Sequence, residues 1–193
     1  MEGKHSAARK LGWKTSNSEV RFENKILRLK EDTLSLPKKG EMKYAWIERG
    51  PAVIIVPVTD DGKMILVRQF RYVVDDHCLE VPAGTSGDVE GLPMEELVAK
   101  ELKEEIGASF RKIERIGDFY SNSSMSDEVC HVFLVTGVKL TAEPEREPAE
   151  EMETLVVPVE EALELARSGK MKTGPSALAV LLAEPRVRAL TGG

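Results

Sequence analysis

Three glutamates in the stretch KELKEEIG, from Lys100 to Gly107, have the spacing to act together. On a helix, at about 100° per residue, Glu101, Glu104 and Glu105 fall within roughly 100° of one another. They lie beside an apolar stripe of Val98, Ala99, Leu102 and Ile106. Such crowding is unfavourable on a bare helix. The i,i+4 pair Glu101 and Glu105 costs about 0.2–0.5 kcal/mol. Glu104 and Glu105 also sit in the last turn, where the helix dipole disfavours each anion by about 0.3–1 kcal/mol. A divalent cation would reverse both penalties, because carboxylates with a nearby backbone carbonyl form a hard oxygen site suited to Mg²⁺ or Mn²⁺. The competing reading is a solvated acidic face, relieved by Lys103 and a Glu96–Lys100 pair.

The loop ahead of this helix, LEVPAGTSGDVE from Leu79 to Glu90, shifts the balance. Together the two segments resemble a Nudix box, G-x5-E-x7-R-E-U-x-E-E-x-G-U with U a bulky apolar residue. Gly84 and Glu90 match its opening, and Glu101, Leu102, Glu104, Glu105 and Gly107 match its core. Nine residues instead of seven separate Glu90 from the basic position, Lys100 replaces the arginine, and Ala108 is small for the final site. Lysine keeps the charge without the planar fork. The resemblance implies that Glu101, Glu104, Glu105 and the Ala83 carbonyl hold Mg²⁺ or Mn²⁺, with Lys100 orienting Glu101. The absent side chain of Gly84 permits the close backbone approach a carbonyl ligand needs.

Other segments are similar to the ADP-ribose pyrophosphatases of that family. Arg68-Gln69-Phe70-Arg71 resembles their V-x-Q-Y-R element and pairs with LEVPAG downstream. Arg71 matches a phosphate-contacting position and Glu80 an acidic position near the substrate. Arg68 is a further substrate candidate, or a surface ion pair. In YSNSSMSDE, Asn122, Ser123 and Ser124 replace a family turn while Glu128 remains, to touch substrate or metal or to cap the loop. The acidic loop Glu143–Glu151 stands where those enzymes carry a catalytic carboxylate. Counting back from Val157-Pro158, Glu150 matches best, with Glu147 and Glu151 as alternatives. Trp46 and Tyr44 could offer an aromatic face to a base, or serve the core or an interface.

The elements that must position these residues follow from pattern. Residues 1–12 are expected to be a flexible N-terminus and 13–50 an antiparallel β-ribbon, which the resemblance implies is a dimerisation element. Residues 51–183 form the catalytic domain and 184–193 a C-terminal tail. Ala52–Val58 is a near-continuous apolar run, hence a strand buried on both faces. Asp61-Gly62 marks a hairpin returning through Met64–Val67. Pro93 can open the box helix and Gly107 can end it. Strands are expected at 113–119 and 129–138, and helices at 159–166 and 175–182. The implied fold is α/β, the Nudix fold: a mixed sheet between helices, with the ribbon added.

At 193 residues, 41% hydrophobic and 31% charged, the chain suits one globular domain with extensions. No apolar run reaches the ~20 residues of a membrane span. MEGKHSAARK lacks the apolar core of a secretory signal, and Cys78 and Cys130 do not make a disulfide framework, so a cytoplasmic location is expected. A net charge of −6 argues against broad nucleic-acid binding. The resemblance implies a homodimer that hydrolyses a nucleoside diphosphate derivative, ADP-ribose first, to AMP and ribose 5-phosphate. A second sugar nucleotide such as GDP-mannose, or a non-catalytic nucleotide- or RNA-binding domain, are the alternatives.

Overall fold

The computed structural model describes residues 6–86, 92–146 and 150–191. Glu90, Gly91 and Glu147 lie outside the described residues. Three antiparallel strands, β1 (Lys14–Glu23), β2 (Arg28–Leu36) and β3 (Gly40–Glu48), make the N-terminal sheet in the order β1-β2-β3. The main sheet is built on β4 (Ala52–Val58), whose seven residues are all buried, as its unbroken apolar sequence requires. Around it stand β5 (Lys63–Arg71), β9 (Lys112–Tyr120), β10 (Val129–Thr136) and β12 (Met152–Pro158), in the order β12-β5-β4-β10-β9. The β4–β10 pair is parallel, whereas β9 and β12 join antiparallel, so the sheet is mixed. Gly62 takes a positive φ in the turn from β4 to β5, as Asp61-Gly62 predicts.

Strand alternation divides the core between two faces. Ile54, Val56, Leu66, Val132 and Leu134 pack toward α3 (Val159–Arg167) and α4 (Gly174–Thr191). Their neighbours Val53, Ile55, Ile65, Val67 and Phe133 pack toward α2 (Met94–Ile106), through Leu97, Val98, Leu102 and Ile106. The site helix is thus seated by the odd-numbered half of β4.

LEVPAG does not continue as one strand. β6 (Asp76–Glu80) pairs with β5, whereas β7 (Ala83–Thr85) pairs with β4. Pro82 has no N–H to extend the first ladder, so the chain changes partners there. The Val81 N–H, left over at the switch, donates to Ser176 Oγ of α4 at 3.2 Å. This step carries Ala83 and Gly84 beneath α2, where α2 and β7 are in contact.

Three boundaries differ from the sequence reading. Ser6–Lys10 forms a short helix, α1, where a flexible segment was expected. Gly12 closes it at φ 75°, and the Trp13 N–H donates back to the Ala8 carbonyl at 2.9 Å. Pro93 is the residue before α2, not its first member. The last helix passes Leu182 and Pro185 to reach Thr191, through the expected tail. A proline inside a helix costs about 3 kcal/mol. Fully buried Ala183 and Val187, and Arg188 reaching Glu160 of α3, offset that cost. Among the described residues no helix is long and apolar enough to cross a membrane.

Candidate active site

Gly107 at φ 62° terminates α2, its N–H returning to the carbonyls of Leu102 and Lys103. Beyond it, Thr141 and Ala142 donate their N–H groups to the Gly107 carbonyl. The helix end is therefore fixed, and with it Glu101 and Glu105. Gly84 lies directly under Glu101, since a Cβ there would overlap the Glu101 carboxyl. Only a residue without a side chain lets the backbone come so close to a carboxylate. Glu105 is 5% exposed, and its carboxylate accepts the Ala83 N–H while Oε2 has no hydrogen-bond partner.

Burial dominates the electrostatics. It pushes the Glu105 carboxyl up to about 8, helped by repulsion from Glu101 and Glu150 and opposed by Ala83 and Arg71. It likewise raises Glu101 to about 7, with Lys100 opposing and with Glu104 and Glu150 adding to the rise. Glu150, the chosen loop carboxylate, thus stands within electrostatic reach of both box glutamates. Glu104 is turned differently. Lys100 donates to it at 2.6 Å and stands 3.6 Å from Glu101, so the lysine serves Glu104 before Glu101. The expected Glu96–Lys100 relief gives way to this pair, and Lys103 pairs with Glu145 at 3.0 Å.

These donors fit a divalent cation. Buried, mutually repelling carboxylates, one with a free oxygen, over a glycine cradle form an oxygen-rich site lacking its counter-charge. As the side chains stand, no three His, Cys, Asp or Glu among the described residues enclose a metal. Lys100 gives Glu104 the positive counter-charge that a bound cation would otherwise supply.

Arg71 reaches the same cluster. Its Nε donates to Glu80 Oε1 at 3.0 Å, and a second guanidinium N–H donates to Oε2. The Glu80 carboxylate is 4% exposed and also accepts from Thr173 Oγ1 at 3.0 Å. Glu80 therefore aims Arg71 instead of facing a ligand. Arg68 sits at the alternate register of β5 and pairs across the strands with Glu153 at 2.6 Å. It lies on the opposite face of the sheet from Arg71, which removes it from the substrate set. Glu128 is buried against Arg49 at 3.2 Å, tying the Asn122–Asp127 loop to the end of β3. Glu151 is exposed, and its carbonyl accepts the Phe70 N–H.

Trp46 lines a cleft of about 790 Å³ between the N-terminal sheet, α1 and residues 123–127. Its indole N–H donates to Asp32 at 2.8 Å, and Lys30 stands 4.9 Å from the ring centre. The other Asp32 oxygen is buried without a partner. Tyr44 lines the same cleft and donates to the Ser124 carbonyl at 2.9 Å.

A family model for the NUDIX domain matches residues 48–176. The chain belongs to the Nudix family. It is a Nudix pyrophosphohydrolase of the kind related to ADP-ribose pyrophosphatases. A Bacillus subtilis (strain 168) protein described as an ADP-ribose pyrophosphatase is 32% identical over 168 residues, covering 86% of this chain and 90% of the relative. A second ADP-ribose pyrophosphatase, from Mycobacterium tuberculosis, is 32% identical over 133 residues, 69% of this chain and 64% of its own length. A crystal structure of an ADP compounds hydrolase superposes with a TM-score of 0.77 at 18% identity, over 92% of this chain and 95% of that one. That likeness establishes the Nudix fold, and enzymes of the family generally use divalent metals. Asp32 beside the cleft, and Arg49, Arg146 and Thr173 in the domain, were not singled out from the sequence. Arg49 and Thr173 act through partners far along the chain, and only Arg146, a lone cation within TAEPEREPAEE, carries a local signal.

Proposed function

We propose that this chain hydrolyses the pyrophosphate bond of a nucleoside diphosphate derivative, ADP-ribose first, to AMP and ribose 5-phosphate. The observation that carries this reading is half-buried Glu101 beside buried Glu105, over Gly84, raised to about 7 and 8 near Glu150 and Arg71. Glu101, Glu105 and Glu104, with the Ala83 carbonyl, would hold Mg²⁺ or Mn²⁺. When bound, such ions neutralise phosphate oxygens and acidify water. Arg71, aimed by Glu80, holds the phosphates. Glu150 is the base that takes the proton of the attacking water, since the helix carboxylates serve as ligands.

The 790 Å³ cleft, with Trp46 and Tyr44 on its wall and a spare Asp32 acceptor, is suited to a base carrying an amino group. Residues 13–50 are proposed as the dimerisation element of a homodimer, and 51–183 as the hydrolase domain. Every residue of β1 is exposed, Val20 and Phe22 included. A small ribbon so little buried is marginal in water. Two buried free thiols, Cys78 and Cys130, accord with a cytoplasmic location.

A panel of ADP-ribose, GDP-mannose and dinucleotides, assayed with Mg²⁺ and with Mn²⁺, tests the substrate. ADP-ribose should show the highest kcat/KM and yield AMP. A preference for a guanine or uracil sugar nucleotide would overturn it.

A further inference from the structure

Among the described residues, Arg146 makes three hydrogen bonds with one guanidinium, none of them to a carboxylate. Its Nε donates to the Glu105 carbonyl at 2.9 Å, one terminal nitrogen to the Met152 carbonyl at 2.5 Å, and the other to Thr154 Oγ1 at 2.8 Å. The Glu105 carbonyl is among the last of α2, which have no partner within the helix. Met152 opens β12, two residues after Glu150. One rigid, partly buried fork therefore joins the main chain of the metal-site helix to the strand that delivers the loop carboxylate.

Glu150 belongs to no helix or strand, so the segments on either side of it must fix its place. On its far side Glu150 is steadied by the bond from the Phe70 N–H to the Glu151 carbonyl. Arg146 supplies the tether on the helix side. A lysine could not span three acceptors, because an ammonium is a point donor without a planar fork. A further link from the helix to this loop, Lys103 with Glu145, is a surface pair with side chains 62% and 64% exposed, a class worth little.

We propose that Arg146 is a positioning residue for the reaction, setting the distance between Glu150 and the Glu101–Glu105 pair while touching neither substrate nor metal. The inference rests on the reading of Glu150 as the base. A misplacement of about 1 Å can cost ~10²-fold in rate. Arg146→Gln should accordingly lower kcat for ADP-ribose by about tenfold or more, with KM within about threefold. Arg146→Lys should not rescue it, and Lys103→Ala should leave kcat within about twofold.

The deciding experiment is a double-mutant cycle with Glu150→Gln, combined with amide hydrogen exchange on the metal-free protein. If Arg146 acts through Glu150, Arg146→Gln should cost less than about twofold in the Glu150→Gln background. Exchange at Met152–Thr154 should quicken while exchange in β4 stays unchanged. Thr154→Val, which removes one of the three bonds, should show a smaller loss that also vanishes in that background, and it serves if Arg146→Gln does not fold. If Glu150→Gln is crippled while Arg146→Gln and Thr154→Val keep parental kcat, the inference falls and the reading of Glu150 stands. If Glu150→Gln keeps parental kcat, that reading fails and the inference falls with it. Equal losses in both backgrounds would place the action of Arg146 elsewhere and overturn the inference.

Discussion

At Glu105 a carboxylate is buried to 5% exposure with one oxygen unpartnered, next to a second carboxylate raised for the same reason. Such a pair lowers the stability of the metal-free fold as it ionises. Both groups bind protons more tightly folded than unfolded. Their contribution to stability is therefore fully present below about pH 4.5 and is lost as pH rises through about 7 and 8. Thermal unfolding in metal-free buffer should show Tm falling from pH 5.5 to pH 8.5, with Glu105→Gln flattening much of the fall. Saturating Mg²⁺ at pH 8 should raise the parental Tm and leave that of Glu105→Gln nearly unchanged. A parental Tm that rises over this pH range without metal would contradict the assignment. Gly84→Ala tests the floor of the site. Its Cβ would displace the Glu101 carboxyl, so kcat should fall ~10²-fold while the circular dichroism spectrum stays native. That Glu101 and Glu105 share a face of α2 was legible in the sequence, because helical spacing places them together. The partners of Arg68 and Glu80, namely Glu153 and Thr173, were not, because each lies far along the chain.

Among the elements, α2 matters most, and both of its ends are set by single residues. Gly107 has φ 62°, and a Cβ there would overlap the Ala142 carbonyl. Gly107→Ala should therefore lower the unfolding free energy by more than about 1 kcal/mol, measured by urea titration. An unchanged midpoint would mean that the helix end is less constrained than described. Periodicity and breakers predicted β4, the Asp61-Gly62 hairpin, α2 and α3 within a residue or two. Missed were α1 and the last turns of α4. In each, a tertiary or capping partner outweighs local propensity: the Ala8–Trp13 bond in one, and buried Val187 with the Arg188–Glu160 pair in the other. The partner switch at Pro82 was equally hidden, since it depends on Ser176, 95 positions away from Val81.

For the whole molecule, the N-terminal sheet and its flanks leave several large apolar side chains exposed in a single copy. Trp13, Val20, Phe22, Ile26 and Met42 all stand at or above 38% exposure. Pairing two copies through one face of this sheet would bury part of this surface. Sedimentation equilibrium at micromolar concentration should give about twice the 21.4 kDa chain mass, and Phe22→Glu should shift the equilibrium toward monomer. Monomer alone for the parent would set the dimer aside without touching the site. The sheet's existence could be read from alternating residues. What covers it could not, because a single sequence gives no pairing between copies.

Hydrolysis of ADP-ribose by the parent and by Glu105→Gln, with and without added Mg²⁺, tests the central claim most directly. The parent should release AMP only when the metal is present, and Glu105→Gln should lower kcat by ~10³ or more while folding as before. Activity within tenfold of the parent, or parental turnover in the presence of a chelator, would contradict a metal site built on Glu101 and Glu105.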